Sequence, residues 1–250
     1  PNHIDWHGEE DHYKASKQCL LNILPEHSIA VLNQSLEEWG KHLRSMVHVI
    51  HDEHAIRDCL LPGQHNAINA SMAVVAVSAI TKSSEEHTTE YVQAVRRFTG
   101  LPHRLNLCHE TESLKFYNDS KSTIPQATVL AIESIAEQSP KRSIHLICGG
   151  YDKGSDLSVI AQCAKDLGGT YTIGATAQSI TDASKEYSIT CNTLQQAMEA
   201  VIERVTPGDI VLLSPGCASW DQYDNYEQRG EEFEKLARML TGTDSCISNL

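Results

Sequence analysis

"SIHLICGGYDKGSDLSVIAQCAKDLGGTYTIGA", residues 143–175, decides the fold class. It opens on an apolar run broken only by His145 and closes on the pair Gly149-Gly150. A short apolar run without strict alternation reads as a strand covered on both faces, the pattern of a parallel sheet. Residues 156–166 read as a helix, and "TYTIGA" (170–175) as the next strand. The same rhythm extends in both directions. Upstream, "LKFYND" (114–119) reads as a strand and 124–136 as a helix. Downstream come a helix at 177–186, a strand at 187–192, a helix at 194–204, the strand "DIVLLSPG" (209–216) and a last helix at 225–240. In that last helix Phe233, Leu236, Ala237 and Leu240 share one face, while Asp224 and Glu227 suit its cap and third position. Alternating strands and helices predict a doubly wound, mostly parallel α/β sheet.

"TGLPHR" (99–104) carries Gly and Pro and marks a domain boundary, so 100–250 is expected to be one Rossmann-like domain. Residues 1–99 read as part of another α/β domain. They show a helix at 9–24, a strand at 28–33 and a helix at 35–46 with Ser35 and Glu38 in a capping pattern. A strand at 47–50, a small-residue buried helix at 64–82 and an amphipathic stretch at 89–98 follow.

Composition narrows the class. In 250 residues, 40% apolar and 21% charged residues argue for a packed core over disorder. A net charge of −13 disfavours nucleic acid or an anionic membrane as the main partner. No stretch has the length of a membrane span and no signal-peptide pattern opens the chain. Eight cysteines without a CxxC pair read as buried free thiols of a reducing compartment, so a cytoplasmic protein is expected. A monomer is expected as well. The chain begins without Met and in mid-motif, which reads as the C-terminal part of a longer protein.

Ligands of open parallel sheets bind beyond the carboxyl ends of the strands. Three such ends carry polar, Gly- or Ser-rich loops: "NDSKST" (118–123), "GGYDKGSD" (149–156) and "SPGCASWDQY" (214–223). The other two, "GATAQ" and "CNTLQ", are plainer. Lys121, Lys153, Ser214 and Ser219 on one rim suit a small carboxylate or phosphate ligand; singly, the Asp-Lys loops read equally as solvated turns. Trp220 and Tyr223 read as packing residues. Asn66 and Asn69, three apart on a helix, read as amide contacts to a polar ring such as a nucleobase, or with Asn66 as a cap. The acidic and His-rich start, His3 to His12, reads as a metal cluster or, more simply, as a solvated helix start, and "HDEHAIRD" (51–58) as a surface loop.

Six ordered stretches, "NHIDWHG…YKASK", "GQHNAIN", "GLPHR", "FYNDSKST", "GGYDKGSD" and "LLSPGCASWDQYDNYEQRGEEF", together resemble the Mur ligase family, closest to its D-glutamate-adding branch. The resemblance implies the back of a central ATPase domain over 1–99 and a complete C-terminal domain over 100–250. The family's Gly-rich phosphate loop with GK[ST] does not occur in these 250 residues. It implies ATP and Mg²⁺ as cofactors, UDP-N-acetylmuramoyl-L-alanine and D-glutamate as substrates, and an acyl-phosphate route. By position, His3 resembles a magnesium ligand and Lys17 a lysine that becomes a metal-binding carbamate. Asn66, Asn69, His103, Arg104 and Asp119 match ATP-binding positions, while Lys121, Thr123, Lys153, Ser219 and Tyr226 match positions around the muramoyl group and D-glutamate. Lys17, Lys121 and Arg104 stand nearest the implied chemistry. Two positions depart from the family pattern: Ile124 where Asn is usual, and Tyr226 where Phe is usual. The alternatives are a related ATP-dependent ligase with another acceptor, or a non-catalytic remnant that binds a small anion or a partner protein.

Overall fold

The computed structural model of the chain describes residues 8–242, so His3 and Cys246 lie outside the described residues. The chain divides into two compact units, Pro1–Phe98 and Thr99–Leu250.

The first unit runs α1 (Glu10–Asn22), β1 (Ile29–Asn33), a 3-10 turn (Gln34–Leu36), α2 (Glu37–Gly40), β2 (Met46–Ile50), α3 (Gln64–Thr81) and α4 (Glu85–Arg96). β1 and β2 pair in parallel, from Ile29 opposite Met46 to Asn33 opposite Ile50. α3 lies against both strands, and Ala30, Leu32, Ile50, Ala67, Ile68 and Val74 are buried. The helix expected over 35–46 stops at Gly40. Gly40 lies so near β2 that a Cβ there would stand 2.9 Å from Val47 Cγ1, and Gly is a poor helix former in any case. Its cap is also different. Asn33 Oδ1 accepts the Ser35 N–H at 2.8 Å, while Glu38 pairs with Lys41 rather than reaching back to Ser35. α3 stands where expected but is only partly buried, with Val77 and Ile80 exposed.

The second unit holds a six-stranded sheet. Its elements are β3 (Asn106–Glu110), β4 (Lys115–Asn118), α5 (Pro125–Ala136), β5 (Ile144–Gly149), α6 (Ser158–Cys163), β6 (Gly169–Ile173), α7 (Ala177–Ser184), β7 (Ile189–Asn192), α8 (Leu194–Ile202), β8 (Ile210–Leu213) and α9 (Tyr226–Leu240). The strand order is β3-β4-β8-β5-β6-β7, with only the β3–β4 pair antiparallel.

Every residue of β5 and β8 is buried, which explains their unbroken apolar runs. Alternate side chains feed opposite layers. Ile147, Val211 and Leu213 pack with Leu194, Met198, Val201, Phe233 and Ala237 of α8 and α9. Ile144, Leu146, Ile210 and Leu212 pack with Ile132 and Ile135 of α5, Ile160 of α6 and Ile180 of α7. Each such side chain contributes about 1.5–3 kcal/mol through burial, so the sheet is anchored most firmly at the strands that carry the rim loops. The doubly wound α/β fold expected from residues 143–175 is therefore what forms. Of the cysteines, Cys148, Cys191 and Cys217 are buried as expected, whereas Cys19 is exposed on α1.

Candidate active site

The rim begins where β4 ends. Asn118 is fully buried, and its Oδ1 accepts the Ser120 N–H at 3.1 Å, which fixes the amide's orientation. Its Nδ2 donates to Gly230 O at 3.1 Å and Glu234 Oε1 at 2.8 Å, tying β4 to α9. The same Nδ2 stands 3.0 Å from His103 Nδ1, which places that ring against the amide. His103 is held in a left-handed turn at φ 63 by its N–H to Asn106 Oδ1 (3.2 Å) and its carbonyl, which receives the Lys121 N–H (3.0 Å). Arg104, next to it, is exposed.

Asp119 is buried at 6% exposure. Its Oδ1 accepts the Leu105 N–H at 3.1 Å and its Oδ2 the Ser214 hydroxyl at 2.8 Å. Burial raises its pKa to about 6, against the downward pull of Ser122, Ser214, the Leu105 N–H and Arg104. It thus joins the loops after β4 and β8. Lys121 Nζ donates to Tyr226 Oη at 2.6 Å and lies 4.1 Å from the centre of that ring. Tyr226 also meets the His103 ring edge-on, 6.0 Å between centres. Lys121, His103 and Tyr226, picked out separately along the sequence, are therefore neighbours. Thr123 is partly exposed at the end of the same loop.

Three further ties bind the loops. Gly149 N–H donates to Pro215 O at 2.8 Å, and Gly216 N–H to Ser122 O at 2.9 Å. Tyr151 and Ala218 exchange backbone bonds at 2.8 and 3.2 Å. The close approach needs glycine at 150. Its φ is 144, and a Cβ there would fall 2.3 Å from Ala218 O.

Arg229, at 1% exposure, completes the assembly from α9. Its Nε donates to Ser120 Oγ at 3.0 Å and its Nη1 to Ala218 O at 3.3 Å. Its Nη2 donates to Ser120 O at 2.9 Å and Cys217 O at 3.1 Å. Burial lowers its pKa to about 10, which leaves it cationic at neutral pH. Sequence reading passed over this residue, because an arginine in an amphipathic helix ordinarily faces water. The plainer "GATAQ" loop also belongs to the rim: Thr176 Oγ1 accepts the Gly150 N–H at 3.0 Å, and Asp221 Oδ2 accepts the Ala175 N–H at 2.7 Å.

Ser219 is buried, and its carbonyl receives the Tyr223 N–H at 2.8 Å. Tyr223 packs against the core as expected. Trp220 does not pack inside: it is 62% exposed, with Lys153 Nζ 4.4 Å from the centre of its ring. A turn fixed from both sides leaves that side chain no buried slot. The rim therefore brings Lys121, Lys153 and Ser219 to one end of the sheet on loops fixed by their own backbone bonds, an arrangement that can hold a small anion. At the opposite, amino end of β5, buried His145 lies between Tyr171 Oη (3.1 Å) and Asp209 Oδ2 (3.3 Å), and burial lowers its pKa.

In the first unit, Asn66 is the third residue of α3, with Gly63 at the cap position, so the capping alternative does not hold. Its Nδ2 donates to Pro62 O at 2.7 Å, and Asn69 is exposed one turn on. Lys17 is exposed on α1, 5.4 Å from the centre of the Tyr13 ring. Among the described residues no three His, Cys, Asp or Glu gather as a metal site.

Residues 103–217 match the family described as Mur ligase, glutamate ligase domain. The chain is 34% identical to UDP-N-acetylmuramoylalanine--D-glutamate ligase of Natranaerobius thermophilus over 97% of its own length and 58% of that protein's. It is 32% identical to the ligase of the same name from Aquifex aeolicus, over 95% of the chain and 60% of the relative. The second unit carries a match to the Mur ligase glutamate ligase domain, and the chain is similar to Mur ligases along nearly its whole length. It spans under two thirds of the length of these Mur ligase relatives. Solved structures share the fold at low identity. MurF ligase of Thermotoga maritima in complex with ADP superposes with a TM-score of 0.66 at 14% identity, covering 95% of this chain and 60% of that one. Mycobacterium tuberculosis folylpolyglutamate synthase complexed with ADP gives 0.65 at 14%, covering 92% and 61%. The sheet that carries the rim thus shares the fold of these ligase structures, as the resemblance implied, and it is the doubly wound parallel sheet that the alternating strands and helices led one to expect.

Proposed function

We propose that the protein carrying this chain joins D-glutamate to UDP-N-acetylmuramoyl-L-alanine at the expense of ATP, a step of peptidoglycan synthesis. The observation that carries this reading is the rim itself: loops after β4, β5 and β8, bonded to one another, bring Lys121, Lys153 and buried Ser219 to the carboxyl end of one sheet. The matched glutamate ligase domain and the relatives' names support glutamate as the anion.

In the proposed reaction the γ-phosphoryl group of ATP passes to the terminal carboxylate of the nucleotide-sugar substrate, giving an acyl phosphate and ADP. The amine of D-glutamate, having lost a proton, attacks the acyl carbon. The tetrahedral intermediate then expels phosphate and leaves the amide. Positioning and charge neutralisation are enough for such a transfer, so cations matter more than a protein nucleophile. Lys153 and Ser219 hold D-glutamate, Tyr226 walls its side chain, and Lys121 with Thr123 faces the muramoyl end. Asn66, Asn69, His103, Arg104 and Asp119 are assigned to ATP. Asp119 serves with its carboxylate already engaged by Leu105 and Ser214, so it shapes the nucleotide end as much as it contacts it. Mg²⁺ and a carbamate on Lys17 belong to this proposal, but the described residues of α1 do not by themselves make a metal site. No step is therefore assigned to an ion. A cytoplasmic, monomeric enzyme is part of the same reading; no helix among the described residues is long and apolar enough to cross a membrane.

The test is phosphate release by the full-length protein with the nucleotide-sugar substrate, ATP and one amino acid at a time. Release with D-glutamate but not with L-glutamate, L-lysine or diaminopimelate is expected, and Lys153→Ala should raise the KM for D-glutamate at least about tenfold through the lost charged hydrogen bond. Equal rates with all four amino acids would overturn the substrate assignment. The 250 residues alone, which lack the GK[ST] phosphate loop, are expected to release no D-glutamate-dependent phosphate.

A further inference from the structure

The exposed aromatic pair on the rim, Tyr151 and Trp220, has a bearing on the lysine between them in space. Tyr151 is 44% and Trp220 62% exposed, and their ring centres stand 5.6 Å apart at 48°. Large aromatic faces left in water beside a polar loop are unusual for a site built only to pack. Lys153 Nζ lies over the Trp220 ring, 4.4 Å from its centre, within the range of a cation–π contact. Among the described residues no carboxylate comes within ion-pairing distance of that ammonium.

The backbone makes the meeting reproducible. The Tyr151–Ala218 bridge locks the two loops two residues before Lys153 and two residues before Trp220. Asp152 Oδ1 accepts the Gly154 N–H at 2.7 Å and the Ser155 N–H at 3.3 Å, closing a turn around Lys153. Asp221 Oδ2, on the Ala175 N–H, holds the far side of Trp220. A free lysine would otherwise lose much rotamer freedom on gripping a carboxylate. Resting on an indole, it has already lost part of that freedom while keeping its charge and its N–H donors toward solvent.

We infer that Trp220 is a positioning residue: its ring holds the Lys153 ammonium at the rim, ready for the carboxylate of the incoming amino acid. This rests on the proposed D-glutamate site and adds to it a specificity element that lies outside the residues carried over by resemblance. Tyr151 supports the indole from its other neighbour and needs no contact with the ligand.

The experiment is an NMR titration of the 250-residue chain with D-glutamate, reading rim amides and the Trp220 indole N–H. It compares wild type, Lys153→Ala, Trp220→Leu, Trp220→Phe and the double variant Lys153→Ala/Trp220→Leu. The amide spectrum reports folding of each variant, and Trp220 is exposed enough for both replacements to be borne. Trp220→Leu is expected to weaken binding about fivefold, the equivalent of an exposed cation–π contact, and Trp220→Phe to recover most of it. In the Lys153→Ala background Trp220→Leu should add nothing. If Lys153→Ala weakens binding but Trp220→Leu leaves it intact, or weakens it by the same factor with and without Lys153, the positioning role is overturned while the site stands. If D-glutamate shifts no rim signal in the wild type, the site assignment fails and the positioning role with it.

Discussion

Asp119 and Arg229 show how single buried groups set the character of the rim. The Asp119 carboxyl has its pKa raised by burial from 3.8 to about 6, so the folded chain holds its proton more tightly than the unfolded chain does. A group of that kind costs stability as pH rises through the interval between the two values. Between about pH 4 and pH 6 the wild type should lose about 3 kcal/mol relative to Asp119→Asn, and the difference should stay constant above that. Urea unfolding of both proteins from pH 4 to 8 checks this, and a pH-independent difference would contradict it. Arg229 acts through geometry. Its fork reaches Ser120, Cys217 and Ala218 at once, which an ammonium cannot reproduce. Arg229→Lys should destabilise the second unit by about 3 kcal/mol, seen as a lower denaturation midpoint with an unchanged m-value. Legibility at this scale followed side-chain chemistry. Lys121 could be picked out because a cation stands out beside a strand end, whereas Tyr226 and His103 stand out only through the family resemblance. Arg229 could not be picked out, since its burial depends on two loops brought together by the fold, one of them more than a hundred residues away in the chain.

Elements were legible where pattern and packing agree. β5 and β8 announce themselves, because strands covered on both faces are apolar throughout. β3 was not read at all: "NLCHE" has no run or alternation, and it becomes a strand only by antiparallel pairing with β4. α9 begins as expected, but Asn225, not Asp224, caps it by accepting the Gln228 N–H at 2.8 Å. One residue's difference in the cap lies below what composition can resolve, as Asp and Asn cap equally well. α5 carries the departure at Ile124, which occupies its cap position with no side chain to satisfy the first turn. Asparagine there would supply an acceptor. Ile124→Asn is therefore expected to stabilise the second unit by about 1 kcal/mol, measured by thermal unfolding, with Pro125 already suited to the first turn. A destabilised variant would show that the partly buried isoleucine contributes more by packing than the missing cap costs.

At the scale of the whole second unit, the doubly wound class followed from the order of strands and helices, while the order of strands across the sheet did not. β8 lies between β4 and β5, although β4 and β5 precede it by more than sixty residues. Nothing local in "DIVLLSPG" states which neighbours it will have, and only its complete burial hints at a central place. That placement governs how the protein comes into being on the ribosome. When residue 205 has been joined, the chain already contains β3 with β4 and β5 with β6 and β7, two ribbons with a strand-wide gap and an unpaired edge facing it on each side. The gap closes only when Ile210–Leu213 has emerged, and the loops above it are fastened only after Arg229 has followed. A nascent chain paused in that interval exposes two apolar edges to its surroundings. The strand made last is thus the keystone, and synthesis through it is the moment at which this sheet becomes one body.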